Sequence, residues 1–225
     1  MRRFFRENQL SIALTIIFAA MLVLHSAAGF YEFNNEQREH HQPKTSYSAY
    51  LFTSHFAESV SENWESEFLQ MAAFVFMTRY LRQKGSAESR KLKEEESEEK
   101  REQQAAEEKA RLAGTTPWPV TKGGVILKLY ENSLWIAFAL LFLFSFLAHA
   151  FSSYKEHLSD HIAHGLPSET FRSYLASSGL WFESFQNWQS EFLAILMMVV
   201  LSIFLRDKES PESKPAGASH GHTGK

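Results

Sequence analysis

Four apolar blocks interrupt an otherwise polar chain, at residues 10–31, 64–82, 133–154 and 188–206. A bilayer core of about 30 Å needs roughly 20 helical residues to cross it. The first and third blocks meet that length. The second and fourth reach it only when their Trp-Glu-Ser and Trp-Gln-Ser entrances are included. Hydrocarbon offers the backbone no partner, so each block is expected to satisfy its own amides as a helix. Ahead of the second and fourth blocks, apolar residues recur at i, i+4 and i+7 or i+8: Phe56, Val60 and Trp64, then Trp181, Phe185 and Trp188. That spacing predicts short amphipathic outer helices, lying on the outer leaflet or against the outer loops.

The halves of the chain align without a gap when shifted by 124 residues, from residue 7 to residue 89. Glu7-Asn8 meets Glu131-Asn132, His25 meets His149, Pro43 meets Pro167, and Tyr50-Leu51 meets Tyr174-Leu175. NWESEFLQ at 63–70 then falls on NWQSEFLA at 187–194, and Leu81-Arg82 on Leu205-Arg206. This register also bears on Arg2, Arg3, Arg6 and the Ser26-Ala27-Ala28 stretch, which alone would suit a cleaved signal peptide. The matching block at 133–154 lies in mid-chain, so the first helix is expected to be retained.

Each half contains two helices and returns the chain to its starting side, which makes the copies parallel. The expected fold is all-α and integral to the membrane: four transmembrane helices as two tandem hairpins with pseudo-two-fold symmetry. Its expected divisions are membrane repeat 1 at 1–85, a charged linker at 86–123, membrane repeat 2 at 124–209 and a disordered tail at 210–225. The linker owes its expected exposure to nine Glu and seven Lys or Arg between 86 and 113.

Charge sets the orientation. Three Arg lie in the first six residues, twelve Lys or Arg between Arg79 and Lys128, and four from Arg206 onward. The two remaining loops hold only Arg38 with Lys44 and Lys155 with Arg172. The positive-inside rule therefore places both termini and the linker in the cytoplasm of a multi-pass protein. The net charge of -3 gives no bulk attraction to nucleic acid, and the absence of Cys excludes disulfides and thiolate metal sites. The expected partners are the lipid bilayer, a second copy of the chain in a homo-oligomer, and a cytoplasmic partner for the linker. No cofactor is expected.

Counting down each helix at 1.5 Å per residue puts His25 roughly 9 Å and Glu67 roughly 5 Å below the outer boundary. His149 and Glu191 take the same depths. Intramembrane ionisable groups mark functional sites by default, so His25 with Glu67 and His149 with Glu191 are candidate polar pairs, supported by Asn63 and Asn187. Their alternative role is structural: the carboxylates would cap helix starts and bond across to His. Trp64, Trp118 and Trp188 are expected as interface anchors. His157, His161 and His164 form a weaker metal candidate, spaced by four and three residues. No catalytic motif is present, and the expected role is non-catalytic interaction or scaffolding in the envelope. The alternative is a small transporter or proton channel using the His/Glu pairs.

The segments RRFFREN, EQREHHQP, NWESEFLQMAA, RQKGSAES, PWPV, LKLYENSL, FESFQNWQSEFLA and FLRDKESPESKP together resemble an uncharacterised bacterial membrane-protein family, known only as a domain of unknown function. The resemblance implies a bacterial inner-membrane location and supplies no activity, cofactor or catalytic residue. The second loop, HLSDHIAHGLP, departs from the EQREHHQP of the first.

Overall fold

The computed structural model describes residues 2–92 and 96–224, in which α-helix is the only regular structure. Ten helices are described: α1 (Arg2–Glu7), α2 (Gln9–Glu39), α3 (Tyr47–Tyr50), α4 (Ser54–Tyr80), α5 (Glu96–Leu112), α6 (Trp118–Lys122), α7 (Gly124–Glu131), α8 (Ser133–Ala163), α9 (Phe171–Tyr174) and α10 (Ser178–Phe204). The limits of α8, α9 and α10 equal those of α2, α3 and α4 displaced by 124 residues.

Local chemistry explains the coincidence. Thr53 Oγ1 accepts the Phe56 amide proton at the start of α4, and Ser177 Oγ accepts that of Leu180 at the start of α10. Ser46 and Thr170 do the same for α3 and α9. These side chains satisfy amides that lack an intrahelical partner. After α2 and α8 the chain turns through left-handed residues, His41 (φ 56°) and Gly165 (φ 66°). Past α4 and α10, the amides of Gln83 and Asp207 each donate to a serine, Ser89 and Ser213, at 2.9 Å.

Among the described residues, three helices, α2, α8 and α10, are long and apolar enough to cross a membrane. At 31, 31 and 27 residues they span about 46, 46 and 40 Å, more than a hydrocarbon core. Helix α4 has the same 27 residues as α10 but is less apolar, because it carries Glu58, Glu62, Glu65, Glu67 and Arg79.

Two sequence expectations are corrected. The amphipathic runs before the second and fourth blocks are not separate outer helices: they are the first turns of α4 and α10. No Gly or Pro interrupts either stretch beyond Gly179, so once capped the helix propagates. The separate short helices preceding them are instead the single turns α3 and α9. As a result Glu67 and Glu191 lie well inside their helices, not at a start where they would act as caps.

The chain forms two compact units, Met1–Ser61 with Ala148–Ala176, and Glu62–Leu147 with Ser177–Lys225. In the first, Tyr50 is fully buried among the rings of Phe30, Phe33, His55 and Phe56. Its hydroxyl presses on Gly29, where an added Cβ would come within 2.2 Å of the oxygen. Tyr174, 124 residues later, is buried beside Tyr154 and His157 and bonds the Ser153 hydroxyl at 2.6 Å. The hydroxyl pair is shifted by one helical turn in the earlier segment, where Ser26 bonds Tyr47 at 2.6 Å. The positions 124 residues after Ser26 and Tyr47 are Ala150 and Phe171, neither of which has a hydroxyl.

The second unit packs α4 and the start of α8 through Phe68–Phe138 and Phe76–Trp135. Helices α8 and α10 meet through Phe142–Trp188 and Phe146–Trp181. Helix α5 is exposed over residues 100–109 and carries a bidentate Arg111–Glu108 pair at 2.7 and 2.8 Å, the charge-laced surface that its composition predicts.

Candidate functional site

Within the second unit, α4 and α10 are joined by polar contacts. Asn187 Nδ2 donates to Glu62 Oε1 at 2.6 Å, and the Trp188 indole N–H donates to Glu65 Oε1 at 3.0 Å. One turn further, Gln70 Nε2 donates to the backbone oxygen of Glu191 at 3.0 Å. Glu65 has no exposed surface at all. A carboxylate so buried is tolerated only when its oxygens are bonded, and the indole, which can only donate, is a matching partner.

Glu62 and Glu65 are one helical turn apart on α4. Glu58 precedes them by four and seven residues, which sets all three on one helical face. In the first unit a carboxylate oxygen of Glu58 lies within 4.8 Å of an imidazole nitrogen of His149, which is fully buried. At the positions 124 residues later stand Phe182, Gln186 and Gln189, all exposed and uncharged.

The predicted pairs divide between the units: His25 and His149 belong to the first, Glu67 and Glu191 to the second. His25 packs its ring against Phe56 at 5.9 Å. Glu67 is exposed and Glu191 half-buried, and the two are close enough for their charges to act on each other. The supporting Asn187 is engaged with Glu62, and the backbone oxygens of Asn63 and Asn187 accept from Ser66 and Ser190 at 2.9 and 2.8 Å. Of the expected anchors, Trp118 is largely exposed and Trp64 meets Phe68 edge-on, with ring centroids 6.5 Å apart. Trp188 spends its indole N–H on Glu65.

The loops after α2 and α8 in the first unit carry two His–carboxylate groups. In the earlier loop, His55 lies 4.0 Å from Glu36 and its Nδ1 is 3.4 Å from the Tyr50 hydroxyl. Burial first, then the nearby charge of Glu36, push the Tyr50 phenol up. In the later loop, the His157 and His161 rings lie tilted to each other with centroids 4.1 Å apart, and His157 Nε2 is 3.3 Å from Glu169 Oε2. The Ser173 hydroxyl, and after it His157, hold the Glu169 carboxyl below its ordinary value. His164 is not part of this group: its Nδ1 turns back to Asp160, 2.9 Å from the backbone oxygen.

At the other end of the second unit, Lys214 is almost fully buried. Its ammonium donates to the backbone oxygens of Gly85, Ser219, His220 and His222, at 2.5, 3.3, 3.3 and 2.9 Å. Desolvation, with the Arg206 charge beside it, pushes its pKa down. Thr223 Oγ1 accepts the Gly85 amide, and Ser86 and Ser202 share a hydroxyl bond at 2.9 Å. The tail is thereby tied to the segment following α4.

These features define an all-helical protein, with three helices fit to span a membrane and inward-turned carboxylates on a fourth. The chain belongs to the family described as a domain of unknown function, DUF6766, whose sequence model matches residues 1–225. No protein of curated function and no solved structure matches it.

Sequence reasoning missed Glu58, Glu62 and Glu65. The available signal was the contrast with the second half, where Phe182, Gln186 and Gln189 stand at the corresponding positions. Their partners, however, lie in that second half.

Proposed function

We propose that the protein is a multi-pass membrane protein with four spans, α2, α4, α8 and α10, arranged as two parallel hairpins. Its role on this reading is non-catalytic, as an interaction or scaffold protein of the bacterial inner membrane with both termini in the cytoplasm. The observation that carries it is the buried Glu65–Trp188 bond. An acid turned inward onto a donor does not face lipid, so the charge count of α4 understates its fitness to span. The shared limits of α4 and α10 support the same reading, as does the clustering of Lys and Arg on one side.

The chain has no native Cys, so single-cysteine labelling tests the topology directly. With four spans, Lys44→Cys and Ser168→Cys react with an impermeant maleimide from outside, and Gln104→Cys reacts only after permeabilisation. With α4 outside the membrane, residue 104 would label from outside and residue 168 would not.

The proximity of Glu67 and Glu191 favours a second reading, in which paired carboxylates carry protons or a cation. Reconstitution in liposomes tests it. Proton or divalent-metal flux lost in Glu67→Gln/Glu191→Gln would support transport, and no flux in the parent protein would exclude it for those ions.

A further inference from the structure

A short helix stands directly before α2 and another before α8, and the two breaks are alike. Asn8 separates α1 from α2 with φ −126° and ψ 26°, and Asn132 separates α7 from α8 with φ −109° and ψ 5°. Both ψ values depart from the helical one, so the chain bends at the asparagine. Each side-chain amide donates back four residues, to the oxygen of Phe4 at 2.8 Å and to that of Lys128 at 2.6 Å.

Helix α7 has no buried residue. Val125, Ile126, Leu129 and Tyr130 are 73%, 40%, 56% and 45% exposed, and their spacing sets them on one side of the helix. Lys128 and Glu131 lie on the other side. Helix α6 packs on α7 across the left-handed pair Gly123 and Gly124 (φ 68° and 61°), and adds exposed Trp118 and Lys122. The chain itself fixes where this element lies. In α8 the largely apolar run at 134–151 is about 27 Å long, close to the thickness of a hydrocarbon core. Its boundary therefore falls at Asn132, whose side-chain oxygen also accepts from Arg79 at the end of α4.

We propose that α6 and α7 form a membrane-surface anchor, with the apolar side of α7 among the acyl chains and Lys122 and Lys128 on anionic phospholipid headgroups. An exposed apolar stripe flanked by cations, tethered at a bilayer boundary, is the chemistry of an interfacial helix. Trp118 and Tyr130 suit the headgroup level, and lysine stems can cover apolar surface while the ammonium reaches out. Between 118 and 132 the only acid is Glu131, and Arg79 adds a further cation. A symmetric contact with a second copy would set these cations against each other, whereas an anionic leaflet pairs them. Helix α1 repeats the pattern, with Phe4 and Phe5 exposed beside Arg3 and Arg6.

The inference rests on α8 as a span, and the test reads that separately. The full-length chain, which has no Cys, is labelled with one environment-sensitive fluorophore at Leu129→Cys, Leu140→Cys or Gln104→Cys. It is reconstituted in phosphatidylcholine bilayers with or without phosphatidylglycerol, and quenching by lipids with a nitroxide near the headgroup or at the chain end is measured. With phosphatidylglycerol present, residue 129 should be quenched by the shallow nitroxide, residue 140 by the deep one and residue 104 by neither. Lys122→Gln and Lys128→Gln should each lower the ratio of bound to released helix by about fivefold, with circular dichroism unchanged, and added salt should act in the same direction. A label at 129 that no lipid nitroxide quenches, while 140 is quenched, would overturn the proposal. So would quenching at 129 that is the same without phosphatidylglycerol and without both lysines. Absence of quenching at 140 would instead overturn α8 as a span, and the anchor with it.

Discussion

Helices α4 and α10 begin and end at positions 124 residues apart and share Asn-Trp-x-Ser-Glu-Phe-Leu, yet they use the same face in opposite ways. On α4 that face carries Glu58, Glu62 and Glu65, and Glu65 is fully buried. On α10 it carries Phe182, Gln186 and Gln189, which are exposed. One helix supplies carboxylate acceptors; the other supplies donors, Asn187 and Trp188, from adjoining positions. The likeness lies in helix limits and caps, whereas the carboxylate contacts between α4 and α10 run one way, from donors on α10 to acids on α4. Two helices with matching limits and a shared motif need not meet symmetrically, because a hydrogen bond requires unlike partners.

The change expected to act most strongly on this contrast is Glu65→Ala. It removes the acceptor of a buried indole N–H and leaves a cavity, so a loss of about 2–4 kcal/mol is expected. Thermal unfolding in detergent, read by circular dichroism, measures it. Moving the acid to the other helix, with Glu65→Gln and Gln189→Glu together, should not restore the parent stability, since residue 189 faces outward.

Gly29→Ala comes next. The added methyl meets the buried Tyr50 hydroxyl, and overpacking of this kind costs about 1–3 kcal/mol. The same unfolding assay should show a loss at the low end of that range for Ser153→Ala, which removes the hydroxyl bond to Tyr174, about 1 kcal/mol. Asn187→Asp should destabilise the protein near neutral pH, because it faces Glu62 with a second carboxylate. Acidification should recover part of that loss.

The smallest expected effect belongs to Glu169. Its folded pKa lies below the unfolded value, so its contribution is present above the ordinary carboxylate range and is lost as pH falls through the folded value. Between about pH 5 and pH 3 the unfolding midpoint should fall less in Glu169→Gln than in the parent. Ser173→Ala should narrow the difference, as the Ser173 hydroxyl is the main cause of the depression.

Much of the helical framework is legible in the sequence. The 124-residue register predicts matching helices, and the apolar blocks locate their central turns. The entrances were misjudged because hydrophobicity marks where a helix is greasy and not where it is capped. Thr53 and Ser177 begin α4 and α10 ten residues ahead of Asn63 and Asn187, and no breaker intervenes after Gly179. The same error put Glu67 and Glu191 at helix starts.

The site was harder to read for a different reason. A comparison of the two halves directs attention to what they share, and so to Glu67 and Glu191. Glu65 matters through a donor on the other helix, a relation visible only when α4 and α10 are brought together. Lys214 was equally hidden: a tail rich in Ser, Gly, Pro and His gives no sign that its backbone oxygens close on a buried ammonium. The linker expected at 86–123 is helical over Glu96–Leu112, and its residues 93–95 lie outside the described structure.

The central claim is that an acid on α4 is held by a donor on α10, and a double-mutant cycle on Glu65→Ala and Trp188→Phe measures it most directly. Unfolding free energies of the parent, the two single variants and the double variant should give a coupling of about 1–2 kcal/mol, in the range of interhelical hydrogen bonds. Additive losses, with no coupling between the two positions, would contradict the account.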